Sequence, residues 1–364
     1  MNMRTLYLES CGAVTPVGLD GFSTCAAIRA GINRVSYAIP VPPPGEPLKA
    51  ARVKAGRALR RTPREWLLNL ASRALNECVV SMQPSTRPVA LFVCPPEPFR
   101  KHPGLEGIAR QDFVSMLAAR HGLKLHPGSR VLDGGAASVF DALAVARELL
   151  AQDAIARAFI GGVDSLLNDR DIERLRRGHR LYEEGNPQGL IPGEAAAFLC
   201  VTRSGSESPY VPIAALRGSG TAHEHQTVDG PRYSVGEGLG KAVRLAIDDA
   251  RISEAEVSFV VSNHNGERYA AWETTFSHAR TYRTRRERLP VMYPAASIGD
   301  VGTAAAALSV IIAGVAVARE YAPGKTALCE CRSEESLRGA CVVGPSPVSS
   351  PFSAPGQRRL ARHA

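Results

Sequence analysis

The histidines are the first side chains of this 364-residue sequence to examine for chemistry. His223 and His225 flank Glu224, and because residues i and i+2 of a strand share a face, the two imidazoles could bind a metal ion together. No third ligand follows at a suitable spacing, and Gly218 and Gly220 just before the pair favour a loop. The sequence therefore predicts no metal site here.

Neither the cysteines nor a glycine-rich segment predicts a cofactor site. The eight cysteines are scattered, and Cys329, Cys331 and Cys341 lie in apolar runs typical of strands, so we expect buried, reduced thiols that pack as small apolar residues. Segment 236–241 reads Gly-Glu-Gly-Leu-Gly-Lys, but it lacks both the spacing of a phosphate-binding loop and a preceding strand. We interpret it as the start of a helix.

His264 and Asp300 lie at the ends of predicted elements. His264 follows the apolar run 257–262, and a histidine at a strand end is either a general base or simply hydrogen-bonded. Asp300 precedes a helix that we expect to begin near Val301 or Gly302. A carboxylate at that place serves as an N-cap, because it accepts hydrogen bonds from backbone N–H groups and complements the helix dipole.

Arginine supplies most of the excess positive charge. The chain has 44 Lys+Arg against 35 Asp+Glu, a net charge of +9, with arginine runs at 60–64, 174–177 and 280–288. Such runs are usually solvated faces, and the functional alternative is docking of an acidic carrier protein or another acidic partner. Aromatic residues make up only 6% of the chain and no nucleic-acid motif is present, so we expect no nucleic-acid partner.

Length and composition predict a folded chain with two domains or one duplicated domain. Hydrophobic residues make up 45% and charged residues 22%, which excludes a disordered or fibrous protein. The longest apolar run, 304–318, is too short and too rich in Ala and Gly to span a bilayer, and no secretory signal is visible at the N-terminus. We therefore predict a cytoplasmic protein without membrane association.

Strands alternate with long helices, which predicts mostly parallel sheets covered by helices on both faces. Two glycine turns lead into apolar helices, one at 133–137 and one at 299–303, and this is the best sign of an internal duplication.

Four segments, in this order, resemble motifs of the β-ketoacyl-acyl-carrier-protein synthases within the thiolase-fold family: 11–18 (CGAVTPVG), 159–164 (FIGGVD), 189–199 (GLIPGEAAAFL) and 247–266, which ends in Ser-Asn-His-Asn-Gly. The resemblance covers about residues 4–343. It implies an α/β thiolase fold with duplicated βαβαβαββ halves packed as a five-layered αβαβα arrangement. The implied division is an N-terminal half 1–205, a C-terminal half 206–344 and a disordered basic tail 345–364.

The same resemblance implies that the catalytic side chains are lost. In the family, a cysteine at the start of a buried helix attacks an acyl thioester, and two histidines stabilise negative charge during decarboxylation. The cysteine position falls on Ala136, or on Gly135 after a one-residue slip. The two histidines correspond to His264 and Asp300, and the lysine of the second histidine motif to Ala295. Ala136, His264 and Asp300 are therefore vestigial positions, and a carboxylate at 300 would repel an enolate-like transition state.

These losses predict a catalytically inactive ketosynthase-like protein that acts as a binding or partner subunit, without a cofactor or metal. In one version it is a chain-length-factor-like subunit that pairs with an active ketosynthase. In the other it is an adaptor or chaperone-like protein of a bacterial type VI secretion locus, with which proteins carrying similar GGVDS and PGEAAAF segments are associated. The expected partners are an acyl carrier protein, a ketosynthase subunit or a secretion effector, in a homo- or heterodimer.

An enzymatic alternative stays open beside this prediction. The chain would then be an acyltransferase, a condensing enzyme or a thioester hydrolase of fatty-acid or polyketide type, with a non-standard site around His264. In that arrangement Asp300 orients His264 toward Ser138, the hydroxyl closest in sequence to the lost cysteine.

Overall fold

The computed structural model describes residues 5–39, 47–54, 62–80, 87–98, 101–203 and 211–346. Arg60 and Arg61 of the first arginine run, the predicted boundary at 205/206 and nearly all of the predicted tail lie outside these residues. Within the described ranges, no helix combines the length and the apolar character needed to cross a membrane.

The first half of the chain supplies seven of the described strands and five of the described helices. The strands are β1 (Leu6–Val14), β2 (Val35–Ile39), β3 (Leu48–Ala51), β4 (Ala90–Cys94), β5 (Arg130–Val131), β6 (Ala158–Ser165) and β7 (Glu194–Arg203). The helices are α1 (Gly21–Arg29), α2 (Pro63–Val80), α3 (Arg110–Ala119), α4 (Ser138–Ala151) and α5 (Asp169–Arg177). Strands β2 and β3 form a separate hairpin.

The second half begins its strands at Ala214. They are β8 (Ala214–His223), β9 (Phe259–Ser262), β10 (Val291–Met292), β11 (Ala327–Arg332) and β12 (Leu337–Gly344). The helices are α6 (Glu237–Ala250), α7 (Arg268–Thr281), α8 (Ala295–Ile298) and α9 (Ala305–Ala318), and a 3-10 turn, Gly302–Ala304, leads directly into α9.

The main sheet repeats one strand order twice. Its order is β10-β9-β11-β12-β8-β1-β7-β6-β4-β5. Each half contributes five strands, which are β1, β4, β5, β6 and β7 in the first half and β8 to β12 in the second. Counted in chain order within each half, the third strand lies at the edge of the sheet, followed inward by the second, fourth, fifth and first. In each half the second strand pairs in parallel with the third and the fourth, whereas the fifth strand pairs antiparallel with the fourth and the first. The prediction of mostly parallel sheets is therefore wrong, because a short connection such as the one between β11 and β12 reverses the chain.

Helices α4 and α9 lie between strands of both halves, which confirms the five predicted layers. Both helices contact β8 and β12 of the second half as well as β6 and β7 of the first, while α2 and α3 cover the first half and α6 with α7 covers the second. Alternate residues of β4 serve the two faces: Leu91 packs with the α2 cluster and Phe92 with the α4 and α9 cluster. A helix covered on all sides must be apolar all round, which explains the run 304–318.

The two halves are also joined through the sheet itself. Residues 6–8 of β1 pair antiparallel with residues 214–216 of β8, so the ten strands form one continuous ladder.

A buried ion pair fixes the loop between β11 and β12. Arg338, at the start of β12, donates from Nε to Oε1 of Glu273 at 2.7 Å, and both side chains are fully buried. Its Nη1 atom also donates to the carbonyl oxygens of Ser333 at 3.1 Å and Glu335 at 2.6 Å. The loop therefore takes its conformation from an internal cation.

Replacing Arg338 with alanine should lower the free energy of unfolding by about 3–5 kcal/mol, because the Glu273 carboxylate would stay buried without its cation. Urea unfolding followed by circular dichroism measures the loss, and adding Glu273→Gln should recover part of it. The exposed pair of Arg177 and Glu173, at 2.7 Å, offers the matched control. There Arg177→Ala should cost less than about 1 kcal/mol, and equal losses at the two pairs would contradict the prediction.

Candidate functional site

A small cavity lies where the start of α4, the turn before α9 and the loop after β9 meet. Its volume is about 50 Å³. Its lining includes Ala136, Arg180, Asn265, Glu267, Asp300 and Arg332. Of the three vestigial positions predicted from the sequence, the structure brings Ala136 and Asp300 together at this cavity and leaves His264 outside the lining.

The turn before α4 presents no nucleophile to the cavity. Ala136 contributes a methyl group and is 3% exposed. Gly135, the position reached by a one-residue slip, has φ +68°, and a Cβ atom there would lie 1.9 Å from Oε2 of Glu97. The next N–H group, that of Ala137, donates to Oγ of Ser333 at 3.0 Å. The backbone of this turn is therefore tied to the loop between β11 and β12.

Ser138, the alternative nucleophile, points into the protein. Its Oγ donates to the carbonyl oxygen of Gly135 at 2.5 Å and lies 3.3 Å from Sγ of Cys94. In the described part of the chain, no hydrogen bond joins Ser138 to His264 or to Asp300. The structure does not assemble the Ser/His/Asp arrangement.

His264 is engaged by its immediate neighbours. Its Nδ1 accepts the N–H group of Gly266 at 3.0 Å, and its ring lies 5.2 Å from the ring of Tyr293. Burial, with a further contribution from the Arg332 guanidinium, lowers the pKa of His264 to about 4. The imidazole is therefore neutral at pH 7.

Asn265, one residue further on, reaches the cavity instead. Its Nδ2 donates to Oδ2 of Asp300 at 2.7 Å and to Oε2 of Glu267 at 2.8 Å, and its Oδ1 accepts from Nη2 of Arg332 at 3.3 Å. The other carboxylate oxygen of Asp300 accepts the N–H group of Gly302 at 2.9 Å. Asp300 thus caps the turn into α9 and has Asn265, rather than His264, as its side-chain partner.

The sequence interpretation missed Asn265, although a signal for it was present. The family motif Asn-Ala-His-Gly has its histidine two residues after the asparagine and one before the glycine. Asn263 and Gly266 match those two residues, and this spacing places Asn265 at the histidine. Because His264 is itself a histidine, it was assigned to the family position instead of Asn265.

Buried arginines line the cavity. Arg180 is 9% exposed and donates to Glu267 through Nε at 2.7 Å and Nη2 at 3.0 Å, and to Glu334 through Nη1 at 2.8 Å. Arg174 also pairs with Glu334, at 2.9 Å. Arg174, a member of the arginine run at 174–177, is therefore partly buried in an ion pair. A solvated helix face was the usual expectation for that run.

A buried carboxylate connects the two halves beside the cavity. Asp164, at the end of β6, accepts the N–H group of Thr303 at 3.0 Å, and burial raises its pKa well above the ordinary value. Gly302 has φ +51°, and a Cβ atom there would lie 2.0 Å from Oδ2 of Asp164. Glycine is therefore required at this turn.

The other sequence candidates belong to the fold. His223 Nδ1 lies 2.9 Å from Oγ of Ser336, and Glu224 accepts the N–H group of Gly238 at 3.0 Å. Within the described residues, no group of three or more His, Cys, Asp or Glu side chains could hold a metal ion. All eight cysteines are free and buried, and α6 begins directly after Gly236.

No family model and no curated protein matches the sequence. Solved structures do match. One is described as a type II polyketide acyl-carrier protein in complex with its ketosynthase bound to the hexaketide (AntDE:AntF). It has a TM-score of 0.78 and 16% identity, over 94% of this chain and 99% of that chain. Another is the ishigamide ketosynthase/chain length factor, with a TM-score of 0.74 and 15% identity, over 94% and 99%.

A third match is the ketosynthase ApeO in complex with its chain length factor ApeC from Xenorhabdus doucetiae, with a TM-score of 0.75 and 15% identity over 93% of this chain and 98% of that chain. Similarity at this level of identity establishes the fold and leaves the activity to the site residues. The chain therefore has the α/β fold of these ketosynthases and chain length factors.

Proposed function

We propose that this protein is a catalytically silent ketosynthase-like subunit of the chain-length-factor type, which works by pairing with an active partner. The proposal is supported by the side chains at the cavity: Ala136 and Asp300, which the motif resemblance aligns with the cysteine and the second histidine, line it, and Asn265 lies there in place of His264. A methyl group cannot attack a thioester, and a carboxylate opposes the negative charge that develops during decarboxylation.

The cavity is also unsuited to an acyl chain. A volume of about 50 Å³ holds a few water molecules, whereas ligand pockets usually measure about 300–1,000 Å³ and are mostly apolar. Here Arg180, Glu267, Asn265 and Arg332 satisfy one another. Few polar atoms remain free to recognise a substrate.

Glu97 holds the loop between β11 and β12 over the cavity. Its two carboxylate oxygens accept the N–H groups of Glu334 at 3.3 Å and Glu335 at 3.2 Å. Burial raises the pKa of Glu97 to about 7, and the nearby carboxylates of Glu334 and Glu335 act in the same direction. The protonation of this one side chain therefore affects how firmly the loop is held.

A role as a partner subunit is supported by the matching structures, since two of them are named as complexes or pairs of a ketosynthase with a chain length factor. The sheet of the described residues ends in the strands β5 and β10, and we infer that a second chain of the same fold pairs along one of these two edges. The version with a secretion adaptor and the cytoplasmic location stay predictions from the sequence.

The natural protein should form no acyl adduct on a single residue when incubated with acyl-carrier and acyl-coenzyme A thioesters. Intact-mass spectrometry with peptide mapping measures this, and Ala136→Cys is the matched variant. If only the variant is labelled, the missing thiol accounts for the lack of an adduct on the natural protein. If neither protein is labelled, the small cavity contributes as well. A specific adduct on the natural protein, or thioester turnover lost in His264→Ala, would favour the enzymatic alternative.

Co-expression with a ketosynthase encoded beside this protein should yield a stable one-to-one heterodimer. Size-exclusion chromatography with light scattering measures its mass, and another thiolase-fold enzyme from the same host serves as the control. A complex with a secretion component instead of a ketosynthase would support the adaptor version. Recovery of the homodimer alone would remove the chain-length-factor version.

The free energy of unfolding should fall as pH rises from about 5 to about 8, in part because Glu97 ionises unfavourably in the folded protein. Between the ordinary pKa of 4.5 and the folded pKa of about 7, the folded state binds more protons than the unfolded state, so stability decreases with pH. Urea unfolding at several pH values measures the decline in unfolding free energy, and Glu97→Gln should make that decline smaller by about 1–3 kcal/mol. The pKa of Glu77 is also raised to about 7, so that part of the decline should persist in both proteins. Identical slopes in the two proteins would contradict the role of Glu97.

A further inference from the structure

An exposed aromatic surface lies on α7, in the outer layer of the second half. Trp272 is 41% exposed and Tyr233 is 54% exposed, and Phe276 is half-buried beside them. The ring centroids of Tyr233 and Trp272 are 6.4 Å apart, and those of Trp272 and Phe276 are 5.3 Å apart. We call these three residues, with Val235 at 39% exposure, the α7 surface. Three neighbouring rings on the outside of a folded chain form a contiguous exposed apolar patch, a feature that often marks an interaction site.

Arginines surround the α7 surface. The guanidinium of Arg268 lies 5.7 Å from the ring centroid of Tyr233, and Arg232 and Arg280 are exposed at its ends. Arg280 lies 3.9 Å from Glu237, and both side chains are largely exposed. Within the described residues, neither Arg232 nor Arg268 has an ion pair with a carboxylate. The surface therefore combines apolar rings with positive charge that the protein itself does not neutralise.

We propose that the α7 surface binds an acidic amphipathic α-helix of a partner protein. Trp, Tyr and Arg are the residues most enriched among those that dominate binding energy at protein interfaces. Helix α7 has 14 residues, which corresponds to a length of about 21 Å, so a helix laid along it can place apolar side chains on the rings. Carboxylates at the edges of the same apolar face would then reach the arginines.

The arrangement of the rings favours a protein helix over a single-stranded nucleic acid. Base stacking needs free ring faces. Here the rings already contact one another: Trp272 makes an angle of 27° with Tyr233 and 19° with Phe276, and Arg268 lies over Tyr233. These contacts occupy ring surface that a base would need, whereas aliphatic side chains can pack against the rings in several orientations.

The α7 surface is independent of the function proposed above. The proposed function rests on the cavity beside α4 and on pairing with a second thiolase-fold chain. Failure of the α7 surface to bind a helix would leave both of those arguments unchanged.

The test uses the full chain and a synthetic, fluorescein-labelled peptide of about 18 residues, with leucines along one helical face and glutamates on both sides of it. Fluorescence anisotropy should show saturable binding that Trp272→Ala weakens at least about tenfold. Arg232→Ser combined with Arg268→Ser should weaken it to a similar extent. Raising the salt concentration from about 50 to about 300 mM should also weaken it several-fold.

The matched control is Phe22→Ala, which removes another exposed ring with an arginine nearby: Phe22 is 42% exposed, and the Arg319 guanidinium lies 5.5 Å from its centroid. This variant should bind the peptide like the natural protein. Each variant is checked by circular dichroism, and buried Trp66 remains as a fluorescent report of the fold after Trp272 is removed.

Four results would overturn the proposal. The first is the absence of saturable binding, and the second is equal binding of a peptide whose glutamates are replaced by lysines. The third is a single-stranded oligouridylate that binds more tightly than the peptide and loses affinity in Trp272→Ala, which would make this a base-stacking surface. Equal weakening by Phe22→Ala would show a non-specific response and would also count against it.

Discussion

The enclosure of α4 and α9 between the strands of both halves is the constraint on which the rest of the structure depends. It brings the starts of the two central helices to one place, and backbone groups take part in each contact there. The Oγ1 of Thr303 donates to the carbonyl oxygens of Cys94 at 2.9 Å and Val163 at 3.0 Å. At Gly162, a Cβ atom would lie 2.1 Å from the carbonyl oxygen of Thr303. Because packing and backbone hydrogen bonds hold this junction, it does not need catalytic side chains to persist.

A site at such a junction must satisfy its own polar groups once it has no ligand to satisfy them. Glu267 shows how this is done. Burial alone would raise the pKa of its carboxyl group, but the hydrogen bonds and charge of Arg180 together with the amide of Asn265 hold that pKa below its ordinary value. Asn265 uses its remaining bonds on Asp300 and Arg332. The residues that hold the fold and the residues that line the cavity are thus different sets, so one set can change without the other.

The resemblance to the ketosynthases predicted the layers, and the two glycine turns that lead into apolar helices predicted the duplication. The sequence interpretation missed α5, since Ile172 and Leu175 are the only apolar side chains in that helix and a charged helix has little hydrophobic periodicity. It did not predict the antiparallel pairs, because the hydrophobic pattern of a strand does not show its direction. At the site it chose His264 over Asn265, since the residue type was weighed above the spacing from Asn263 and Gly266. Side chains of neighbouring residues in an extended segment point to opposite sides. An error of one residue in the assignment therefore selects a side chain on the face away from the cavity.

The arginines show a second limit of the same kind. In the sequence all of them contribute equally to a net charge of +9. In the structure, Arg180 and Arg338 are buried against carboxylates, and each would be costly to remove because an unpaired buried charge would remain. Arg232 and Arg268 lie exposed beside aromatic rings. A cation paired inside the fold has its electrostatic energy committed to stability, whereas a cation left in water beside apolar surface can gain more from a partner's carboxylate than from solvent. Arginine therefore lines the cavity in one place and favours an acidic partner in another. The burial of the side chain distinguishes these two roles.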